Sequence, residues 1–330
     1  MSYSPASELV ANGNLPNLLA TYYAKQAIPN LKAQTPFLSF TKQKPLPLRS
    51  GNNIQFYTYA LLSANTNQQA EGTVGSPISE SSTKIAATMG QYADFINCSD
   101  LSLDVAIDDP GLLQNLSNEL NYRLALSLNT LVQLTADSAT SVDSLVNIQL
   151  ANGSYLTANN IRSAVQSLVG VNARPLTASG DFGGVIHPAV VKDVLNDTSF
   201  NGLSDILKRG SDADRKILMS TPSNEDAITF AGCKFKQTTT APTTTISSNT
   251  FYQSYIFADD AIFSVFLGKN PESGEKNYKL FVQMAPENGS VSDPSRVIGG
   301  WTSYNVRYTN TLRPGSTMVL RRLQSESSSS

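Results

Sequence analysis

Leu113, Leu116, Leu120, Leu124, Leu128, Leu131 and Leu134 follow one another in steps of three or four residues. That is the spacing of one face of an α-helix. Asp109 is placed to cap it, and Pro110 falls at the first helical position, where a missing N–H costs nothing. No Gly or Pro interrupts the run after Gly111. The predicted helix, residues 108–135, is about 40 Å long at 1.5 Å per residue. Helices of ordinary small domains run three or four turns. A rod of this length constrains the whole chain, because everything before and after it must be arranged along it.

What precedes the rod does not read as a domain. In residues 1–50, Pro16 is placed to start a short helix, and Pro29, Pro36, Pro45 and Pro47 break or extend the chain. Phe37, Leu38, Phe40, Leu46 and Leu48 are spaced apolar anchors. The segment reads either as an arm lying across another surface or as a tail wrapped on its own body. Residues 54–61 are β-branched and aromatic, and residues 84–96 alternate through Ile85, Ala87 and Met89; both predict strands. Between them lie about 20 residues of mostly Ser, Thr, Asn, Gln and Gly, a loop too long for a compact domain unless it has a task. A two-stranded ribbon is marginal alone in water. This one is expected to project and to bind a partner.

After the rod, residues 156–170 predict a second helix capped by Thr157 and stopped by Gly170. Residues 181–197 predict a short strand, Val185 and Ile186, then a helix begun by Pro188. Residues 202–209 predict another helix, and the low-complexity block 238–248 an exposed loop. From Thr250 onward the chain is β, ending in an expected hairpin turned by Pro314 and Gly315.

The 330 residues are 40% hydrophobic, enough for a real core, and only 15% charged, against the roughly 25% usual in soluble domains. A neutral surface rich in hydroxyls and amides repels copies of itself weakly. Net charge −2 implies no general attraction to nucleic acid. Cys98 and Cys233 form no metal or redox motif and read as reduced thiols. The N-terminal residues lack the features of a signal peptide, and no apolar run is long enough to span a membrane. His187 is the sole histidine, so any Ser-His-Asp or His-metal mechanism must use it. It sits at a strand–helix junction with no GxSxG anywhere. Asp108–Asp109 and Asp259–Asp260 do not face each other as catalytic pairs. Asp212 and Asp214 lack the rest of a calcium loop. The Asn-x-Ser/Thr matches are chance ones in this context, and Arg321–Arg322 reads as a solvated strand edge. No catalytic residue, cofactor site or metal site is expected. The distinctive features are extensions: an arm, a ribbon and a rod.

The order of these elements resembles the α+β Hong Kong 97-type fold of tailed-bacteriophage major capsid proteins. Local words are similar to those of the N-four-like podovirus branch: Glu71–Gly72 at the ribbon tip, Phe182 to Leu195 with its Gly-Gly and His-Pro, Ser292 to Pro294, and Gly300–Trp301. The resemblance implies a shell subunit that forms hexamers and pentamers around double-stranded DNA without sequence-specific binding. It implies an N-terminal arm (1–50), an extended loop (51–97) overlying a neighbour, a peripheral domain with a spine helix (98–140), an axial domain (141–275), and peripheral strands with a tail (276–330). The implied inter-subunit contacts are Phe37, Phe40, Gln69, Glu71, Gly72, Thr73 and Arg123. Implied partners are the chain itself, a portal, a separate scaffolding protein (only about 50 residues precede the ribbon) and a decoration protein. The implied location is the virion, after assembly in the host bacterial cytoplasm. Some relatives join subunits through a lysine of this loop, but residues 62–83 contain none, so no such cross-link is expected. A tail-tube or fibre protein, and a hydrolase using His187, are the alternatives.

Overall fold

The computed structural model describes residues 35–72, 74–75, 77–101, 109–139, 147–177, 180–198, 228–230, 232–268, 279–284, 297–314 and 319–328. The expected helices near Pro16 and at 202–209, the pair Asp212 and Asp214, the word Ser292 to Pro294, Gly315 and the start of the rod at Asp108 lie outside the described residues.

A single 3-10 turn, Phe37–Phe40, leads into strand β1 (Lys42–Leu46). Strands β2 (Asn53–Tyr59) and β3 (Ser82–Thr88) pair antiparallel as an isolated ribbon. β4 (Gly90–Ser99) precedes the long helix α1 (Asp109–Ser138). Then come β5 (Asn147–Gln149), helix α2 (Ala158–Gly170), β6 (Phe182–Ile186) and helix α3 (Pro188–Leu195). β7 (Ile228–Phe230), β8 (Cys233–Gln237), β9 (Thr243–Ile246) and β10 (Asn249–Phe257) follow. β11 (Ile262–Leu267), β12 (Lys279–Met284), β13 (Ile298–Leu312) and β14 (Leu320–Ser325) end the series.

These strands form two sheets besides the ribbon. The first runs β1-β11-β13-β12, with β4 along the other edge of β13. The second runs β5-β14-β10-β6-β8-β7, with β9 also on β10. β13 is the backbone of the first sheet. Its Tyr304, Val306 and Tyr308 alternate with more exposed residues and are buried. α1 packs on this sheet through Leu120, Leu124, Leu128, Val132 and Ala136. A four-residue row is inclined to the helix axis. The buried face therefore turns along the rod, so that Leu131 is only half-buried and Leu134 is exposed. The turn brings Thr135 to Asn310 of the first sheet and Asp137 to Tyr255 of the second. The rod thus bridges the two sheets.

Several expectations are corrected. Residues 84–96 are two strands, not one. The chain leaves the ribbon at Met89, whose N–H donates to the Asn52 carbonyl (2.8 Å), and β4 joins β13. β13 and β14 do not form a hairpin. β13 lies in the first sheet and β14 in the second, between β5 and β10. Block 238–248 is not an exposed loop: Thr238 and Ala241 are buried and β9 pairs with β10. Arg321 is not on a solvated edge either. It is buried, and its Nε donates to Ser167 Oγ (2.7 Å) on α2.

The arm is part of the chain's own core. Phe37 is fully buried, edge-on to Tyr255 (5.4 Å) and Phe257 (6.1 Å), and Phe40 stacks on Phe257 (5.6 Å). Gly183 makes the room, since a Cβ there would lie 2.3 Å from the Phe40 ring. The Phe-Gly-Gly word of β6 is thereby explained. The Phe37 N–H donates to Asn129 Oδ1 of α1 (2.9 Å), and Asn129 is itself fully buried. Both rings are too enclosed to serve as the expected anchors on a neighbour, because ring burial within the chain already removes their apolar surface from water.

Candidate functional site

The ribbon is the element without a body of its own. Its register runs from Asn53 opposite Thr88 to Tyr59 opposite Ser82, and the Ala60 N–H donates to the Ser81 carbonyl (2.9 Å). Beyond that bond the two strands end. Residues 61–81 then run out to a turn at Glu71 and Gly72 and back. Gly72 has φ +81°, a conformation that side-chain-bearing residues rarely take. Gln69, Glu71 and Gly72 are exposed, and Thr73 lies outside the described residues. Leu61 is 95% exposed, Val74 97% and Ile78 68%. Single exposed apolar residues are ordinary; here three lie within one loop, with no described residue covering them.

At its base the ribbon is attached. Phe56 of β2 stacks on Phe263 of β11, with centroids 4.4 Å apart. On the other side of the first sheet, Arg123 of α1 pairs with Asp94 of β4 at 2.7 Å. The Arg123 side chain remains two-thirds exposed, so this pair contributes roughly 0–1 kcal/mol and leaves the guanidinium reachable.

Between the ribbon base and the body lies a groove of about 860 Å³. Tyr59, Leu61 and Leu62 form the ribbon wall; Val171 to Arg174 after α2, and Arg313 with Pro314 after β13, form the other. Asp260 also reaches it, held by the Lys42 ammonium at 2.7 Å. Sequence reasoning missed this groove, because its walls come from segments far apart in the chain.

Among the described residues His187 has a structural partner set. It is the N-cap of α3: its Nδ1 accepts from the Ala189 N–H (3.1 Å), and its ring lies 4.5 Å from that of Tyr252. Burial holds its pKa below the usual histidine value. Cys98 and Cys233 are buried free thiols, and burial raises the pKa of each. Among the described residues no group of three or more His, Cys, Asp or Glu is placed to hold a metal. No described helix is long and apolar enough to cross a membrane.

No family model and no curated protein matches the chain. Solved structures do. The capsid structure of cyanophage P-SCSP1u is 15% identical, aligned over 99% of this chain and 100% of that one, with a TM-score of 0.67. The capsid of Ralstonia phage GP4 is 10% identical over 94% and 96%, at 0.67. The capsid of cyanophage Pam1 is 8% identical over 100% and 99%, at 0.66. The chain therefore has, from end to end, the α+β fold found in phage capsids.

Proposed function

We propose that this chain is the major capsid protein of a tailed bacteriophage, the structural subunit of its icosahedral head and not an enzyme. The observation that carries the reading is the end-to-end likeness to capsid proteins, 99% of this chain against 100% of the cyanophage P-SCSP1u capsid chain. The exposed apolar strip of the ribbon fits it: Leu61, Val74 and Ile78 lack a cover among the described residues. In this reading the ribbon and its loop (51–97) overlie a neighbouring subunit, with Gln69, Glu71, Gly72 and Thr73 at the contact and Arg123 on the rod facing another copy. The second sheet with α2 and α3 surrounds the hexamer and pentamer axes, and the first sheet with α1 forms the periphery. Many modest contacts multiplied by closed symmetry hold such a shell together.

Within that reading the subunit belongs to the N-four-like podovirus branch, assembles in the bacterial cytoplasm with a portal and a separate scaffolding protein, and accepts a decoration protein. It encloses double-stranded DNA without reading its sequence. Subunits are held without a lysine cross-link from the loop, since residues 62–83 contain no lysine.

Electron microscopy of the purified protein tests the function: closed shells are expected, and open rods would instead indicate a tube protein. A variant with residues 62–80 replaced by a two-residue Asn-Gly turn should remain folded and soluble but form no shells. Normal shells from that variant would remove the ribbon's assigned role.

A further inference from the structure

Strand alternation puts every second residue of the first sheet on the side away from α1. On β13 that side carries Trp301, Ser303, Asn305 and Arg307, while Thr302, Tyr304, Val306 and Tyr308 are buried on the α1 side. The register extends the same face onto the two neighbouring strands. Phe281 of β12 and Phe95 of β4 stand opposite Ser303 from either side, and Gln283 and Asn97 flank Trp301 in the same way. Phe95 is 66% exposed and Phe281 48%, and Asn97, Gln283 and Arg307 are exposed as well. The ribbon meets this face at its far end, where Phe56 stacks on Phe263, the partner of Thr311.

The exposed rings are not scattered. Phe95 and Phe281 lie in one row, two strand spacings or about 10 Å apart, with the Ser303 hydroxyl position between them. The next row sets an indole between two side-chain amides. Aromatic rings offer apolar faces on which the C–H faces of sugar rings stack, and amides both donate and accept, as neighbouring sugar hydroxyls require. The spacing of the two phenyl rings matches the reach of two sugar units in an extended chain. None of the described positions named on this face is acidic. Its cations, Arg307 and Lys279 (opposite Asn305), lie toward the end away from Trp301. A nucleic-acid strand needs cations that follow its phosphates past the stacked rings, and the rows of Phe95 and Trp301 hold none.

We propose that the face centred on Ser303 binds an uncharged polysaccharide, with sugar rings stacked on Phe95 and Phe281 and hydroxyls bonded to the amides of Asn97 and Gln283. This does not rest on the shell-subunit reading, because one chain supplies the whole face.

Native electrophoresis of the full-length chain in gels containing hydroxyethyl cellulose, a neutral polysaccharide, tests it. The polymer should retard the unmodified chain. Phe95→Ser with Phe281→Ser should remove the retardation while melting temperature and gel-filtration volume stay those of the unmodified chain. Phe95→Tyr with Phe281→Tyr should keep it, and so should Arg307→Gln, because the contact uses no charge. No retardation of the unmodified chain, or retardation that survives the serine pair, overturns the inference. Retardation by oligothymidylate in place of the polymer, lost in Arg307→Gln, would assign the face to nucleic acid and also overturn it. A serine pair that changes the oligomeric state, with no retardation of the unmodified chain by the polymer, would make the face a contact between copies, again overturning it. Trp301 is the single tryptophan of the chain, so its fluorescence gives a check that needs no variant. Cellohexaose should shift its emission, and an unchanged spectrum at saturating sugar would overturn the proposal even if the serine pair failed to fold.

Discussion

The ring of Phe56 in the ribbon lies nearly parallel to that of Phe263 in the body, at 18° and 4.4 Å between centroids. It is the described ring contact between ribbon and body, and it divides the projecting element in two. Beyond Ala60 no described ring contact joins the loop to the body.

Removing the anchor should free the base. Phe56→Ala is expected to cost the stacking, about 0.5–1.5 kcal/mol, together with the apolar burial of the ring. Hydrogen exchange should rise across residues 53–59 and 82–88 while the amides of α1 and β10 keep their protection. Unchanged exchange in the ribbon would show that another contact holds it.

Gly183 should not accept even a methyl group. Gly183→Ala places a Cβ 2.3 Å from the Phe40 ring, which stacks on Phe257, the residue opposite Gly183 in the β6–β10 pair. Overpacking of this kind costs about 1–3 kcal/mol. In a Phe40→Leu background the same substitution should cost clearly less, because the two positions share one space. Equal costs in the two backgrounds, measured by denaturant unfolding, would contradict the packing.

His187 gives the fold a mild acid sensitivity. Its folded pKa is depressed by burial, so the unfolded chain binds the proton more readily. Stability is therefore fully present above the ordinary histidine value and declines as pH falls through it, and protonation of Nδ1 also removes the acceptor for the Ala189 N–H. His187→Asn should keep a cap and lose this part of the pH dependence. His187→Ala should cost about 1 kcal/mol at neutral pH. Melting temperatures from pH 5 to 8 check both.

The junction of rod and second sheet depends on Asp137. Its carboxylate accepts from the Tyr255 hydroxyl and pairs with Arg322 at 3.3 Å. The Tyr255 pKa is raised far above its usual value, first by burial and then by this neighbouring charge. Asp137→Ala leaves the buried Tyr255 hydroxyl with Gln253 Oε1 (2.5 Å) as its acceptor but removes its charged acceptor and the partner of Arg322, and should destabilise by about 1–3 kcal/mol in thermal or denaturant unfolding. A change within a few tenths of a kcal/mol would show that the junction does not rely on it.

Local periodicity made the rod, the ribbon strands, α2 with its Thr157 cap and the strands after Thr250 legible, because each pattern repeats within a few residues. Partnership was not legible. Nothing near Asn129 indicates that its amide meets Phe37, 92 positions earlier. The arm's alternatives were open for the same reason: Phe37 and Phe40 read alike whether they cover a neighbour or their own β10. Arg321 looked solvated because Arg is usually exposed, yet β14 enters the middle of a sheet and carries it inside. The candidate contacts fared similarly. The loop between the ribbon strands followed from composition and its Glu71–Gly72 tip from the resemblance, whereas the groove with Arg174 and Arg313 required the fold.

β14 also sets the order in which a subunit can be finished. It fills the gap between β5 and β10, strands made roughly 170 and 70 residues earlier on the polypeptide. Until residues 320–325 have been synthesised, both neighbours present raw edges and the core above them stays open. A product terminated before Leu320 therefore never closes the second sheet. Completion of translation becomes a condition for a finished core, enforced by topology alone.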